Sequence, residues 1–253
     1  RNNDGDLMAI RFERIIEGTK VLDPRKGFEE FCQEVEVRVD PLTGSASRIN
    51  ITRAGRPKQQ MSNREEPVPK NCPFCPANIE RETPKFTPDF APEGRISYGG
   101  AVIFPNLFPL SDLHGVCAFT PEHKLDINRF TKEEISDGLF AAEEFARRGA
   151  SRGARFHFLG WNHLPPAGAS ILHPHFQIMA SSRPTAGALM YHSASKAYRE
   201  REGRSFWREY ADAETGSERF IGSAGGFDWF APWSPTCGYE VLGICGSGKD
   251  SLL

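Results

Sequence analysis

The segment HPHFQ, residues 173–177, places two histidines and a glutamine at alternate positions. Successive side chains of a β-strand point to opposite faces, so His173, His175 and Gln177 are expected to share one face. Phe176 would then face a hydrophobic core. Two imidazoles and an amide on one face can bind a metal ion or an anion, whereas a solvent-exposed strand face is the alternative interpretation.

A second candidate site is the motif CPFC, residues 72–75. Two thiolates separated by two residues can bind one metal ion through a tight turn, and Zn²⁺ prefers such ligands. The sequence has no second CxxC motif, so histidine or carboxylate groups would have to complete the coordination. A thioredoxin-like redox pair usually opens a helix, whereas Pro73 and Pro76 favour a turn. The motif therefore favours zinc, with a redox pair or two inert buried cysteines as the alternatives.

Three further segments have residue types that suit phosphate or metal binding. The small residues Gly-Ala-Ser at 168–170 let backbone amides and a hydroxyl approach a phosphate, although an ordinary turn has the same composition. His123, in the turn FTPEHK, can reach a neighbouring site, although alone it is typical of a surface histidine. GICGSGK, residues 243–249, has Walker A spacing, but Asp250 stands where a Ser or Thr hydroxyl would hold Mg²⁺. A flexible Gly-Ser segment is the favoured interpretation of that stretch.

The elements that carry these residues indicate an α+β fold. Alternating valines and charged residues, the turn DPLTG and a second alternation predict a β-hairpin over 34–51. Thr131 and Glu134 have capping-box spacing at the start of a helix, and a more polar helix is predicted between 183 and 208. Pro174 cannot donate to a sheet ladder, which predicts an edge strand or a bulge. Further strands are predicted in SYGGAVIF, HGVCAF, RFHFLGW and HPHFQIMA.

The composition limits the class of protein. The 253 residues are 39% hydrophobic and 25% charged, as expected for a soluble globular protein with a substantial core. A formal net charge of −2 gives no reason to expect nucleic acid as the main partner, and no apolar run approaches a membrane span. The polar, acidic first residues do not resemble a secretory signal, so the six cysteines predict a reducing, cytoplasmic location.

Taken in chain order, the motifs VDPLTG, TRAGRP, NCPFCPAN, FPNLFP, FTPEHK and WNHLPPAGASILHPHFQ resemble the galactose-1-phosphate uridylyltransferase family. This family is a branch of the histidine-triad superfamily of nucleotidyl transferases and hydrolases. The resemblance runs from Val39 to Ala180, with FDWFAPW as a weaker match beyond. It implies a histidine-triad-like antiparallel sheet with one long helix in residues 1–183. Residues 184–253 would then form a connecting helix and the start of an incomplete second copy of the fold.

The resemblance also implies roles for individual residues. His175 matches the family's nucleophile, and Gln177 matches the residue that hydrogen-bonds the transferring phosphoryl group. The implied ligands of a zinc ion are Cys72, Cys75, His123 and His173. The implied substrate contacts are Arg53, Arg56, Phe74, Asn106, Asn162, Gly168 and Ser170.

The implied activity is transfer of a nucleoside monophosphate between hexose 1-phosphates through a covalent nucleotidyl-histidine. The partners would be a nucleoside-diphosphate hexose, a hexose 1-phosphate or phosphate, and a second copy of the chain in a homodimer. Leu107 follows Asn106 where the uridylyltransferases usually have Asp, and this resembles the adenylyl-transferring branch, whereas Pro174 is typical of uridylyl transfer. Phosphorolysis of ADP-glucose, or hydrolysis or phosphorolysis of dinucleoside polyphosphates, is therefore an alternative. A non-catalytic, zinc-stabilised nucleotide-binding module is another.

Overall fold

The structure is a computed structural model that describes residues 10–23, 28–51, 72–123 and 126–246. Its described residues form two compact units, one within 62–185 and the other combining residues of 1–61 with residues of 186–253. The predicted first domain, 1–183, differs from this division because residues before 62 group with the C-terminal residues. That residues 184–253 begin a second copy of the fold stays a prediction. None of the helices in the described ranges is long and apolar enough to cross a bilayer.

The α-helices and β-strands of the described residues are numbered here in chain order. They are β1 (Glu13–Asp23), β2 (Glu29–Val39), β3 (Ala46–Ile49), α1 (Pro76–Glu82), β4 (Ile96–Tyr98), β5 (Ala101–Pro105), β6 (Leu113–Ala118), α2 (Lys132–Ser151), β7 (Phe156–Gly160), β8 (His175–Ser181), α3 (Ala186–Glu202), α4 (Phe206–Glu214), β9 (Phe220–Ala224), β10 (Phe227–Phe230) and β11 (Leu242–Cys245).

The unit within 62–185 is a five-stranded antiparallel sheet with the strand order β4-β5-β6-β8-β7. Helix α2 packs on one face of this sheet, where its buried residues, including Phe145, join the strand side chains in one hydrophobic core. The predicted capping box is confirmed: Thr131 Oγ1 accepts from the backbone N–H of Glu134, and the Glu134 carboxylate accepts from that of Thr131. The predicted α+β class, with an antiparallel sheet and one long helix, is therefore confirmed for this unit.

Strand β8 separates its side chains between the two faces of the sheet. Phe176 and Ile178 are buried in the core against α2, while His175 and Gln177 point to the opposite face. The expectation that Pro174 marks an edge strand or a bulge is wrong, because β8 lies between β6 and β7. Pro174 directly precedes the first residue of the strand, a position where its missing N–H interrupts no ladder hydrogen bond.

The second unit contains two three-stranded antiparallel sheets, β1-β2-β3 and β11-β10-β9, together with α3 and α4. The predicted hairpin over 34–51 is present as β2 and β3, and Asp40 Oδ1 stabilises its turn by accepting from the backbone N–H groups of Leu42 and Thr43. The predicted polar helix corresponds to α3. Trp233, a buried residue of this unit's core, lies against the guanidinium groups of Arg38 and Arg219.

Gly138 sets how closely α2 approaches β8. A Cβ atom added there would lie 2.6 Å from the ring of Phe176 and 2.8 Å from Cβ of Phe119. We expect Gly138→Ala to lower the free energy of unfolding by about 1–2 kcal/mol, because overpacking outweighs the better helix propensity of alanine. Urea unfolding followed by circular dichroism measures the change.

The matched control is Gly187→Ala in α3, where an added Cβ would meet no atom within 4 Å. This substitution should leave stability unchanged or raise it slightly, since only helix propensity changes. Equal unfolding midpoints for the Gly138 variant and the wild type would contradict close packing of α2 on Phe176.

Candidate active site

The CPFC motif forms a tight turn that leads directly into α1. The backbone N–H of Cys75 donates to the carbonyl of Cys72 at 3.3 Å, and the N–H of Phe74 points to the Cys72 sulfur at 3.4 Å. Helix α1 begins at Pro76, where the missing N–H of proline costs no hydrogen bond. The sequence predicted the turn but not the helix. The short helix holds both thiols on the sheet face opposite α2, where Ile79 packs with Phe104 and neighbouring strand residues.

His173 is fully buried and has a defined tautomer. Its Nε2 lies 2.9 Å from the carbonyl oxygen of Thr120, and because a carbonyl only accepts, Nε2 carries the proton. Nδ1 is then unprotonated and lies 3.7 Å from Sγ of Cys75. Nδ1 of His123 lies 3.4 Å from the same sulfur. Two thiols and two imidazole nitrogens from three distant segments therefore converge on one point.

These four groups fit a tetrahedral metal ion. Their ligand atoms all lie within 4.8 Å of one another, and the ligand atoms of a tetrahedral zinc site are separated by about 3.3–3.8 Å. Burial lowers the pKa of His173 to about 4, so this ring is neutral and able to coordinate. Burial and the neighbouring Cys72 raise the pKa of the Cys75 thiol, a direction that a bound cation would reverse. The donor set of two sulfurs and two nitrogens is one that zinc prefers.

Thr120 connects the His173 ring to the long helix. Its carbonyl accepts from His173, and its hydroxyl donates to the carboxylate of Glu134 at 2.5 Å. Glu134 is the same residue that caps α2. The segment that orients His173 is thus hydrogen-bonded to the N-terminus of the helix that carries the core, an arrangement that resembles the outer-shell support of metal-bound histidines.

His175 is buried, and one hydrogen bond defines its tautomer. Its Nδ1 lies 2.8 Å from the carbonyl oxygen of His173, so Nδ1 carries the proton and Nε2 keeps a lone pair. Burial lowers the pKa of His175, and the hydrogen bond to the His173 carbonyl offsets part of this shift. The ring is therefore neutral near pH 7, as a nucleophile must be. The ring of Phe74 packs edge-on against it at 5.2 Å between centroids.

Gln177 lies on the same face as His175 and is held by two residues of β6 and the preceding loop. Its Oε1 lies 3.0 Å from Nδ2 of Asn106 and 2.8 Å from Nε2 of His114. The amide of Asn106, a predicted nucleoside contact, is thus hydrogen-bonded to another predicted site residue.

The remaining predicted substrate contacts are placed separately. Arg53 and Arg56 lie outside the described residues. The other predicted contacts are exposed residues of the loop between β7 and β8, namely Asn162, Gly168 and Ser170. Gly168 has a φ of +94°, a conformation that requires glycine. A Cβ atom added at that glycine would lie 3.6 Å from the Asn162 amide nitrogen, so two of the three are close neighbours.

Three supporting residues were missed by the sequence reasoning: His114, Thr120 and Arg95. The buried guanidinium of Arg95 donates to the carbonyls at the C-terminus of α1, those of Ile79, Glu80 and Thr83, at 2.8–3.1 Å. Because α1 ends at Glu82, no further helical turn supplies donors to the carbonyls of Glu80 and Thr83, and Arg95 does so, while the carbonyl of Ile79 also accepts from the N–H of Thr83. The contacts that matter to the site join residues 12 or more positions apart in the chain, so no local sequence pattern predicts them.

The chain is similar to several known proteins. It is 32% identical over 238 residues to an uncharacterized protein of Archaeoglobus fulgidus, and the match covers 93% of this chain and 70% of that protein. No family model matches the chain.

Solved structures with the same fold include three that have TM-scores above 0.5. The ADP-glucose phosphorylase of Arabidopsis thaliana with bound ADP-glucose has a TM-score of 0.59 and 22% identity, covering 81% of this chain and 66% of its own. A GalT-like protein of Arabidopsis thaliana has a TM-score of 0.61 and 21% identity, and the match covers 85% of this chain and 68% of that protein. A uridylyltransferase has a TM-score of 0.51 and 21% identity, and the match covers 78% of this chain and 61% of that protein. The chain spans about two thirds of the length of these structures, which confirm the predicted resemblance at the level of the fold.

Arg95 provides a test of how α1 holds the CPFC turn. We expect Arg95→Met to lower the free energy of unfolding by about 3 kcal/mol, because buried carbonyls of α1 lose charged donors that a thioether cannot replace. Urea unfolding measures the loss. Arg81→Met on the same helix is the control, since the Arg81 side chain is 74% exposed and should matter little. Equal effects of the two substitutions would contradict a supporting role for Arg95.

Proposed function

We propose, from the premise that the chain belongs to the same family as the Archaeoglobus fulgidus protein and has the fold of a uridylyltransferase, that it is a nucleotidyltransferase acting on nucleotide sugars. The observation that carries the proposal is the tautomer of His175. A buried, neutral imidazole with its proton fixed on Nδ1 leaves Nε2 free as a nucleophile beside a candidate phosphate-binding amide.

The reaction follows from these groups. Nε2 of His175 attacks the α-phosphorus of a nucleoside-diphosphate hexose, a P–N bond forms, and the P–O bond to the sugar 1-phosphate breaks. A second hexose 1-phosphate, or phosphate, then attacks the nucleotidyl-histidine, and the P–N bond breaks with release of the new product. The His173 carbonyl stabilises the Nδ1–H of the ring while Nε2 is bonded to phosphorus. Donors such as the NH₂ group of Gln177 stabilise the negative charge on the phosphoryl oxygens by hydrogen bonding.

Zinc is the proposed occupant of the site formed by Cys72, Cys75, His123 and His173. The bound ion would supply structural rigidity to the backbone beside the nucleophile. The chemical step itself uses only the groups of this chain and of the substrate. The proposed location is the cytoplasm and the proposed assembly is a homodimer.

The identity of the nucleotide is read from the covalent intermediate. We expect incubation with UDP-glucose or ADP-glucose, followed by denaturation at neutral pH and intact-mass measurement, to show a nucleotidyl adduct on the wild type. The mass gain names uridylyl or adenylyl transfer. His175→Ala should show no adduct, because the attacking nitrogen is gone, whereas His157→Ala, at an exposed histidine of the same sheet, should retain it. An unmodified wild type with both sugars would contradict the proposal and favour a binding module.

The acceptor distinguishes the remaining alternatives. Comparison of hexose 1-phosphate, inorganic phosphate and water as acceptors of the isolated adduct separates uridylyltransferase-like exchange from phosphorolysis and hydrolysis. The bound ADP-glucose of the Arabidopsis thaliana phosphorylase makes the phosphate arm the important comparison.

Metal content tests the zinc site separately. We expect elemental analysis to find about one zinc per chain, and Cys75→Ser to lose most of it, because serine is a poor ligand for zinc. A chelator should lower the melting temperature of the wild type. Cys237→Ser, at an exposed cysteine, should retain the metal. A metal-free wild type with an oxidised Cys72–Cys75 pair would contradict the site and support the redox alternative.

A further inference from the structure

The side-chain amide of Gln177 receives its orientation from the segment 106–114. His114 is buried at 6% exposure, and its two ring nitrogens have different partners. Nδ1 lies 3.0 Å from the backbone N–H of Leu110, and Nε2 lies 2.8 Å from Oε1 of Gln177. A backbone N–H can only donate, so Nδ1 of the neutral ring is the acceptor and Nε2 carries the proton. His114 therefore donates to the oxygen of the Gln177 amide.

Asn106 repeats this logic. Its Oδ1 accepts from the backbone N–H of Phe108 at 2.8 Å, and this hydrogen bond leaves the NH₂ end of the Asn106 amide pointing toward Gln177. Its Nδ2 then donates to the same Oε1 of Gln177 at 3.0 Å. The 3.4 Å approach between Asn106 Nδ2 and His114 Nε2 is a contact between two donors that share one acceptor. Turning the Gln177 amide over would set its NH₂ group against both of them.

We propose that His114 is a positioning residue for the transfer reaction, which fixes the Gln177 amide so that its NH₂ group faces the phosphoryl group attacked by His175. The inference rests on the proposed function. Residues two apart on a strand lie about 6.6–6.8 Å apart along it, a separation suited to an amide that contacts the oxygens of a phosphorus bonded to His175. A freely rotating amide would present its oxygen for part of the time and repel the phosphoryl charge. A fixed donor stabilises that charge without reorganisation.

The kinetic test uses three substitutions and a double-mutant cycle. His114→Phe keeps a planar aromatic ring but removes both ring nitrogens, and with them the donor to Gln177, and we expect it to slow adduct formation at saturating nucleotide sugar about ten- to a hundredfold. His114→Gln can place an N–H near the position of Nε2 and should restore most of the rate. Added to Gln177→Ala, His114→Phe should cause no further loss, since there is no amide left to orient.

Two kinetic outcomes would overturn the inference. Equal impairment of the Phe and Gln variants would indicate a role in packing alone. Multiplicative effects of the His114 and Gln177 substitutions would show that the two side chains act independently.

A spectroscopic test separates this inference from the proposed function. We expect ¹⁵N NMR of the wild type to show His114 as the Nε2–H tautomer, and the side-chain NH₂ signals of Gln177 to move toward those of a free glutamine in His114→Phe. If the wild type forms no adduct, the proposed function fails, but these spectra still test whether His114 orients the Gln177 amide. An Nδ1–H tautomer, or unchanged Gln177 signals in the variant, would refute the positioning role.

Discussion

The hydrogen bond from His173 to the carbonyl of Thr120 is the interaction on which the candidate site depends. It decides which nitrogen of the buried ring faces the thiols, and hence whether a cation can be bound at all. The carbonyl of His173 then determines the tautomer of His175 in turn. Both imidazoles are oriented by backbone oxygen atoms, so the geometry of the site depends on the path of the main chain at Thr120 and between 173 and 175.

That path is fixed from both sides of the sheet. On one face Phe176 stacks on Phe119 at 4.2 Å between ring centroids, beneath the close approach of α2 at Gly138. On the other face the CPFC turn and Phe74 contact the two histidines. The core residues and the polar site residues of β8 therefore do not interfere with one another, because successive side chains of a strand point to opposite faces. A shift of β8 toward either side would disturb both at once.

The parts of this arrangement that could be predicted from sequence are those encoded locally. Thr131 and Glu134 are three residues apart, and the hairpin of β2 and β3 needs only alternation and a turn, so both were found. The helix after Pro76 was missed because it is short and stabilised by the distant Arg95. The convergence of the CPFC thiols with His173 was expected only from the family resemblance.

His114 shows most clearly what local patterns leave out. Alternation in HGVCAF places His114 and Val116 on one face, but only the register that pairs Val116 with Gln177 brings the imidazole diagonally across to the amide. Register depends on how two strands far apart in sequence align, which no periodicity within either strand specifies.

The loop after β5 has two roles that bear on each other. Its backbone N–H groups at Phe108 and Leu110 set the donors that hold Gln177, while the side chains of the same two residues are 80% and 82% exposed. The backbone that carries these exposed side chains is thus the same backbone that orients Asn106 and His114. A shift of the backbone at residues 108–110 would therefore change the hydrogen bonds that orient the Gln177 amide. On the proposed mechanism, residues that do not touch the substrate would thus help to determine which end of the Gln177 amide faces it.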